Sequence, residues 1–266
     1  MTSRVAHDFG RTDLWAAHGQ LRRLANEVFG DPASGRIGNS RRRAIVLLLY
    51  AKGLKSNNAI LRLCERGYGE DAAILLRALF QTAVTARYLT QRDFRRRYAR
   101  YDAYQWILKK RILEPAIKAG TIATPKYIKG EQYSWEQIKA FARRARIRYG
   151  KMTGAMGWTG QKLEQVARSL GYQEVYDSLY RHTSEYEHTS LRAAETYARG
   201  QGRVMTRITS QPSDRLVNEI LGSLLWVMCV LMDVVDETFR LGKGDEITSS
   251  LRTFHERSRP TLELGE

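Results

Sequence analysis

Asp71-Ala-Ala-Ile-Leu-Leu-Arg-Ala-Leu-Phe-Gln-Thr-Ala-Val-Thr-Ala-Arg-Tyr-Leu89 decides the fold of this chain. Its apolar residues cover nearly the whole circumference of a helix rather than one stripe, so the helix they make has to be enclosed by others. The segment is expected to be the central helix of an all-α, single-domain helical bundle. Helix signals continue on both sides of it. Thr12 to Phe29 has an N-cap and a Gly30-Asp31-Pro32 stop. Ser40 to Arg66 has Gly53 as a break and Gly67 as a C-cap. Asp93 to Ala119 is basic and tyrosine-rich, with Pro115 placed to kink or end it. After a loop over Thr121 to Tyr133, Ser134 and Gln137 read as a capping box.

Further on, Thr159 to Leu170 stops at Gly171, Tyr172 to His188 forms the next helix, and Ser190 to Ala198 extends it. Arg203 to Thr209 is the only strand candidate. Ser213 to Leu241 is a long helix ending at Gly242, and residues 243–266 read as a loose polar tail. The expected organisation is one helical domain over 1–242 with a basic section at 92–151.

Composition narrows the partners. The 266 residues carry a formal charge of +16 with a pI near 10, a balance suited to a polyanion. Residues 92–151 hold 17 Lys and Arg against five acids, a surplus of 12 that is most of the total. Aromatics interleave them, among them Tyr98, Tyr101, Tyr104, Trp106, Tyr133, Trp135 and Tyr149. Cations for phosphates and rings for unstacked bases are what single-stranded nucleic acid sites use. Arg96, Arg97, Arg100, Arg143, Arg144, Arg146, Arg148 and Lys151 are the expected contacts. The bland alternative is a solvated helix face with its rings turned inward.

Cys64 and Cys229 sit in apolar helical contexts without metal spacing and read as reduced core residues. The run Met1 to Phe9 has no apolar core for a signal peptide, and the apolar run Ile220 to Met232 is short for a bilayer. A cytoplasmic protein with no membrane contact is expected. Walker, dinucleotide-binding, HExxH and GxSxG motifs are all lacking, so neither a cofactor nor a metal is expected.

The chemistry concentrates in Tyr180-Arg-His-Thr-Ser-Glu-Tyr-Glu-His188. Seven helical steps from Arg181 to His188 turn through about 700°, roughly 20° short of two turns, so both lie on one face. Ser184 and Glu185 fall between them. A guanidinium, a hydroxyl, a carboxylate and an imidazole in one row suffice to bind a phosphate and move a proton. Spacing alone decides nothing in a chain with 33 arginines, and Arg11 and His18 repeat it. Arg77, inside the apolar helix, needs a partner because a buried unpaired guanidinium is costly. Glu70, Asp71 and Glu185 are the expected partners.

This Arg-x6-His motif resembles the catalytic signature of the HEPN helical superfamily. The resemblance implies a metal-independent ribonuclease of a defence or toxin system, with the motifs of two protomers meeting across a homodimer. His188 would be the general acid and base, Arg181 the phosphate and transition-state stabiliser, and Ser184 and Glu185 would orient them. A second resemblance covers about residues 45–195. It runs through Ala59-Ile60-x-Arg-Leu63, Gly67-x-x-Glu-Asp-Ala72, Leu76-Arg-Ala-Leu-Phe80, Trp158, Tyr176 and Tyr180-Arg-x-x-Ser-x-x-x-His188. That pattern is similar to an uncharacterised bacterial all-helical domain-of-unknown-function family of the 5677 type. Gln81 stands where that family usually has an acid, and Thr189 where it usually has proline.

Together these readings point to an RNA-binding helical protein that cleaves RNA, RNA being favoured over DNA, with a protein partner such as an antitoxin. The alternative is a non-catalytic module that binds nucleic acid or protein, with the Arg/His row structural. A third reading is a small-anion or nucleotide sensor using Arg77 and Arg181.

Overall fold

The structure, a computed structural model, describes residues 11–33, 38–121, 133–150, 154–187, 194, 197–201 and 204–250. They belong to two compact units, one of residues 1–90 with 173–266 and the other of residues 91–172. The fold is all-α, with one small hairpin.

In the first unit α1 (Thr12–Ala33), α2 (Arg41–Glu65) and α3 (Gly69–Gln91) precede a bent helix α7 (173–187). Then come β1 (Ala198–Gln201), β2 (Val204–Ile208), α8 (Val217–Phe239) and a short α9 (244–250). Ser40 caps α2 by accepting from the Arg43 N–H at 3.3 Å. Its far end closes with Gly67 at φ 72° and the Tyr68 N–H on the Leu63 carbonyl, 2.9 Å away. The strand expected at Arg203 to Thr209 is β2, paired antiparallel with β1.

Four expectations are corrected by the structure. Gly53 does not break α2. An added Cβ there would come within 2.6 Å of the Leu231 Cδ1, so the glycine is where α2 presses against α8. α8 takes the central place foreseen for Asp71–Leu89, because its apolar residues are enclosed on more sides. Val217, Leu221, Leu224, Val227, Met232 and Val235 have no exposed surface. By length and composition alone α8 could cross a membrane; its burial under other helices accounts for its apolarity instead. Lastly, the tail begins with a helix, held by the buried Ile247 and by the Lys243 N–H on the Asp236 Oδ1 at 2.9 Å. α1 likewise continues through the expected stop at Gly30 to Pro32, which falls in its last turn.

Several polar groups inside this unit are matched by main-chain carbonyls, although the buried Asn57 Oδ1 and Thr238 Oγ1 have no hydrogen-bond partner among the described residues. The His18 Nε2–H donates to the Leu221 carbonyl at 2.8 Å, and burial lowers the imidazole from 6.5 to about 4, so it is neutral. The Tyr50 hydroxyl donates to the Ala25 carbonyl at 2.9 Å. Cys64 and Cys229 are free and buried, with thiols pushed up to about 12 by desolvation. Arg87 of α3 reaches Asp233 and Glu237 of α8.

The second unit is an antiparallel helical hairpin of α4 (Phe94–Lys118) and α5 (Trp135–Tyr149), followed by a 3-10 turn (Gly154–Thr159) and α6 (Leu163–Ser169). Ile107 packs against Ala142 and Ala145 at its centre. The Ser134/Gln137 capping box is present as expected. Pro115 leaves α4 intact, because it sits in the last turn and its carbonyl still accepts from Ala119 at 2.9 Å.

Candidate functional site

α7 carries the motif, and it is not a uniform helix. Gly171, at φ 79°, and the Tyr172 N–H on the Ala167 carbonyl close α6. After one α-turn, Tyr176–Arg181 widen into a π-turn, and α-geometry resumes at His182. Widened turns of this kind recur at functional sites, because they re-aim the side chains that follow. The Thr183 hydroxyl donates to the Leu179 carbonyl at 2.8 Å and the Ser184 hydroxyl to the Tyr180 carbonyl at 2.9 Å. Aromatic packing holds the turn down: Tyr176 and Tyr180 both lie against Phe80 of α3, which in turn meets Trp226 of α8.

Arg181 projects outward. Its side chain is 58% exposed, its Nε bonds the Asp177 Oδ1 at 2.9 Å, and its guanidinium lies 5.8 Å from the Tyr176 ring centre. Glu185 is half-buried in the following turn. His188, Thr189 and Lys151 lie outside the described residues. Arg77 is only 17% exposed and pairs with Glu187, not with Glu70, Asp71 or Glu185. It also donates from Nη2 to the Tyr180 hydroxyl at 3.0 Å, with the guanidinium 4.4 Å from that ring centre. The chosen acid is on a helix far away in sequence, so only the docking of α7 on α3 selects it.

In the basic section, Arg96, Arg143, Arg144, Arg146 and Arg148 are exposed, whereas Arg97 and Arg100 are half-buried. Arg100 donates to the Tyr149 carbonyl at 3.4 Å. The rings are engaged with one another. Trp106 stands edge-on to Tyr133 at 4.8 Å and lies 4.6 Å from Phe141, and Tyr101 meets Trp158 at 5.1 Å. Arg144 covers Phe141 and Lys109 covers Trp106. The aromatic interleaving therefore builds the hairpin, while the α5 arginines remain at the surface.

Sequence reasoning gave His182 no role. In the structure it lines a cleft of about 550 Å³ together with Tyr186, Asn218 and Glu219. Nothing local in the sequence joins residue 182 to residue 219; the packing of α7 beside the start of α8 does.

An all-helical protein with an exposed arginine on a widened turn is thus the class that fold and site define. Residues 43–203, more than half of the chain, match a family of unknown function (DUF5677), and the chain belongs to that family. No curated protein and no solved structure matches it significantly.

Proposed function

We propose that this protein binds RNA and cleaves it as a metal-independent endoribonuclease, with Arg181 holding the scissile phosphate and His188 moving the proton. One observation carries the reading: the Arg181 side chain is 58% exposed at the end of a π-turn, while that of Arg77 is 17% exposed and bonded to Tyr180 and Glu187. A structural arginine looks like Arg77; one kept for a phosphate looks like Arg181. Asp177 holds Arg181 in place until an anion competes for it. The exposed α5 arginines supply sequence-independent phosphate contacts. Cleavage by a proton-moving imidazole uses the 2′-hydroxyl as nucleophile, so the substrate is RNA rather than DNA. The same reading implies a homodimer that brings two motifs to one phosphate, acting in the cytoplasm as a defence or toxin effector restrained by a protein partner.

The second reading is a non-catalytic module that binds nucleic acid or protein. It is favoured by the Ser184 hydroxyl, whose proton is given to the Tyr180 carbonyl of its own helix. Incubation of the protein and its His188→Ala variant with cellular RNA in EDTA separates the two. Cleavage by the parent that the variant lacks supports the ribonuclease. RNA that is retarded on a gel by both proteins yet stays intact supports the module.

A further inference from the structure

The cleft beside α7 has a chemistry of its own. Its floor is apolar, made by Leu76, Leu179 and Ile220, which are at most 4% exposed. Along one side stand two rings set edge to face, His182 and Tyr186, 5.8 Å apart and inclined at 69°. The opposite rim is the first turn of α8, with Asn218 and Glu219. A volume of about 550 Å³ falls within the range of small-ligand sites, roughly 300–1,000 Å³.

The rim is not balanced electrostatically from within. Arg11 also lines the cleft, but its guanidinium is held by Asp13 at 2.6 and 3.0 Å. Its main-chain N–H is accepted by the Asn218 Oδ1 at 2.8 Å, which fixes that amide with its NH₂ group still to donate. Among the described residues, the Glu219 carboxylate and the His182 ring nitrogens have no hydrogen-bond or ion-pair partner. The cleft thus combines an apolar floor, two aromatic rings, a two-oxygen acceptor and an adjacent amide donor.

We infer that this cleft takes a guanine base. A carboxylate accepts two parallel N–H groups, and guanine presents adjacent N1–H and N2–H donors with the O6 acceptor beside them for the Asn218 amide. Adenine offers a lone pair at N1, where the carboxylate would repel it. Uracil places one N–H between two carbonyls, and cytosine has a bare N3. The flat face of the purine suits one of the two rings and the apolar floor. The base could belong to a free guanine nucleotide or to an unpaired guanosine of RNA. In the second case the inference rests on the RNA reading and gives that reading a sequence preference; in the first it stands without it.

The test is calorimetric titration of the full chain with GMP, AMP, CMP and UMP, then with the RNA pentamers UUGUU and UUAUU. The same series is run on Glu219→Gln, which keeps the shape and removes the second acceptor, with thermal melting to show that the variant is folded. The expected result is GMP binding at least tenfold tighter than AMP, a preference lost in the variant. Equal binding of the four nucleotides, no binding, or an unchanged preference in a folded Glu219→Gln overturns the inference. If GMP is selected but neither pentamer binds, the ligand is the free nucleotide and the cleft assignment holds while the RNA reading loses support. If cellular RNA is cleaved with no dependence on Glu219 or on guanine and GMP is not selected, the ribonuclease reading stands and the cleft assignment falls.

Discussion

Arg77 of α3 and Glu187 of α7 form the ion pair that sets how the motif helix is turned. The same guanidinium bonds the Tyr180 hydroxyl, so it grips α7 at two points seven residues apart. Tyr180 immediately precedes Arg181, and Glu187 immediately precedes His188. A positioning residue on another helix therefore acts one residue away from each end of the motif.

Replacing Arg77 with Ala is expected to cost about 1 kcal/mol, because the Tyr180 hydroxyl loses its partner while Glu187, 43% exposed, can turn to water. Urea denaturation of Arg77→Ala, Glu187→Gln and the double variant measures this. A coupling of about 1 kcal/mol is expected from contact between the two side chains; additive losses would show that the pair does not fix α7.

Stability should fall with acid through His18. The folded imidazole titrates near 4 and the free one near 6.5. Between those values the unfolded chain binds the extra proton, so stability is full above pH 6.5 and declines as pH drops toward 4. The loss amounts to about 3 kcal/mol at the bottom of the window. His18→Gln keeps a neutral donor for the Leu221 carbonyl and does not titrate, so its denaturation midpoint should depend less on pH than the parent's across that range.

Two glycines should respond differently to one methyl group. Gly53→Ala meets the tip of Leu231, a side chain that can yield, and should cost about 1–3 kcal/mol. Leu231→Ala is itself costly at a buried leucine. Relief should therefore show in a double-mutant cycle, the Gly53→Ala penalty being smaller in the Leu231→Ala background than in the parent. Gly69→Ala would place its Cβ 2.3 Å from the Arg215 carbonyl oxygen, which is backbone. Its cost should be larger, and no side-chain truncation should relieve it. Thermal melts of the three single variants and of the double variant decide the point.

If the α5 arginines contact phosphates, changing Arg143, Arg144 and Arg146 to Ser should weaken RNA binding equally across sequences. The slope of log affinity against log salt should drop by about 2, near 0.7 for each contact on a single strand. Trp106→Ala should instead lower thermal stability with a smaller effect on affinity, because its ring packs on Tyr133 and Phe141.

The sequence by itself determined most of the helices, since their signals are local, but not α9, nor that Ala198, expected in a helix, begins β1. The Ser40 cap, the Gly67 terminus and the Ser134/Gln137 capping box involve groups only a few residues apart, and each appears where its residues require. The all-α class and the family relationship followed from the same kind of pattern. Tertiary structure alone decided what depends on neighbours distant in the chain. It made α8 rather than α3 the most enclosed helix, turned Gly53 from a break into a contact, and gave Arg77 the partner Glu187 in place of nearer acids. It also widened α7 at Tyr176–Arg181 and brought His182 beside Glu219. The physical reason is that a helix is specified by hydrogen bonds spanning four residues, whereas the faces that meet are chosen by burying apolar surface across the whole unit.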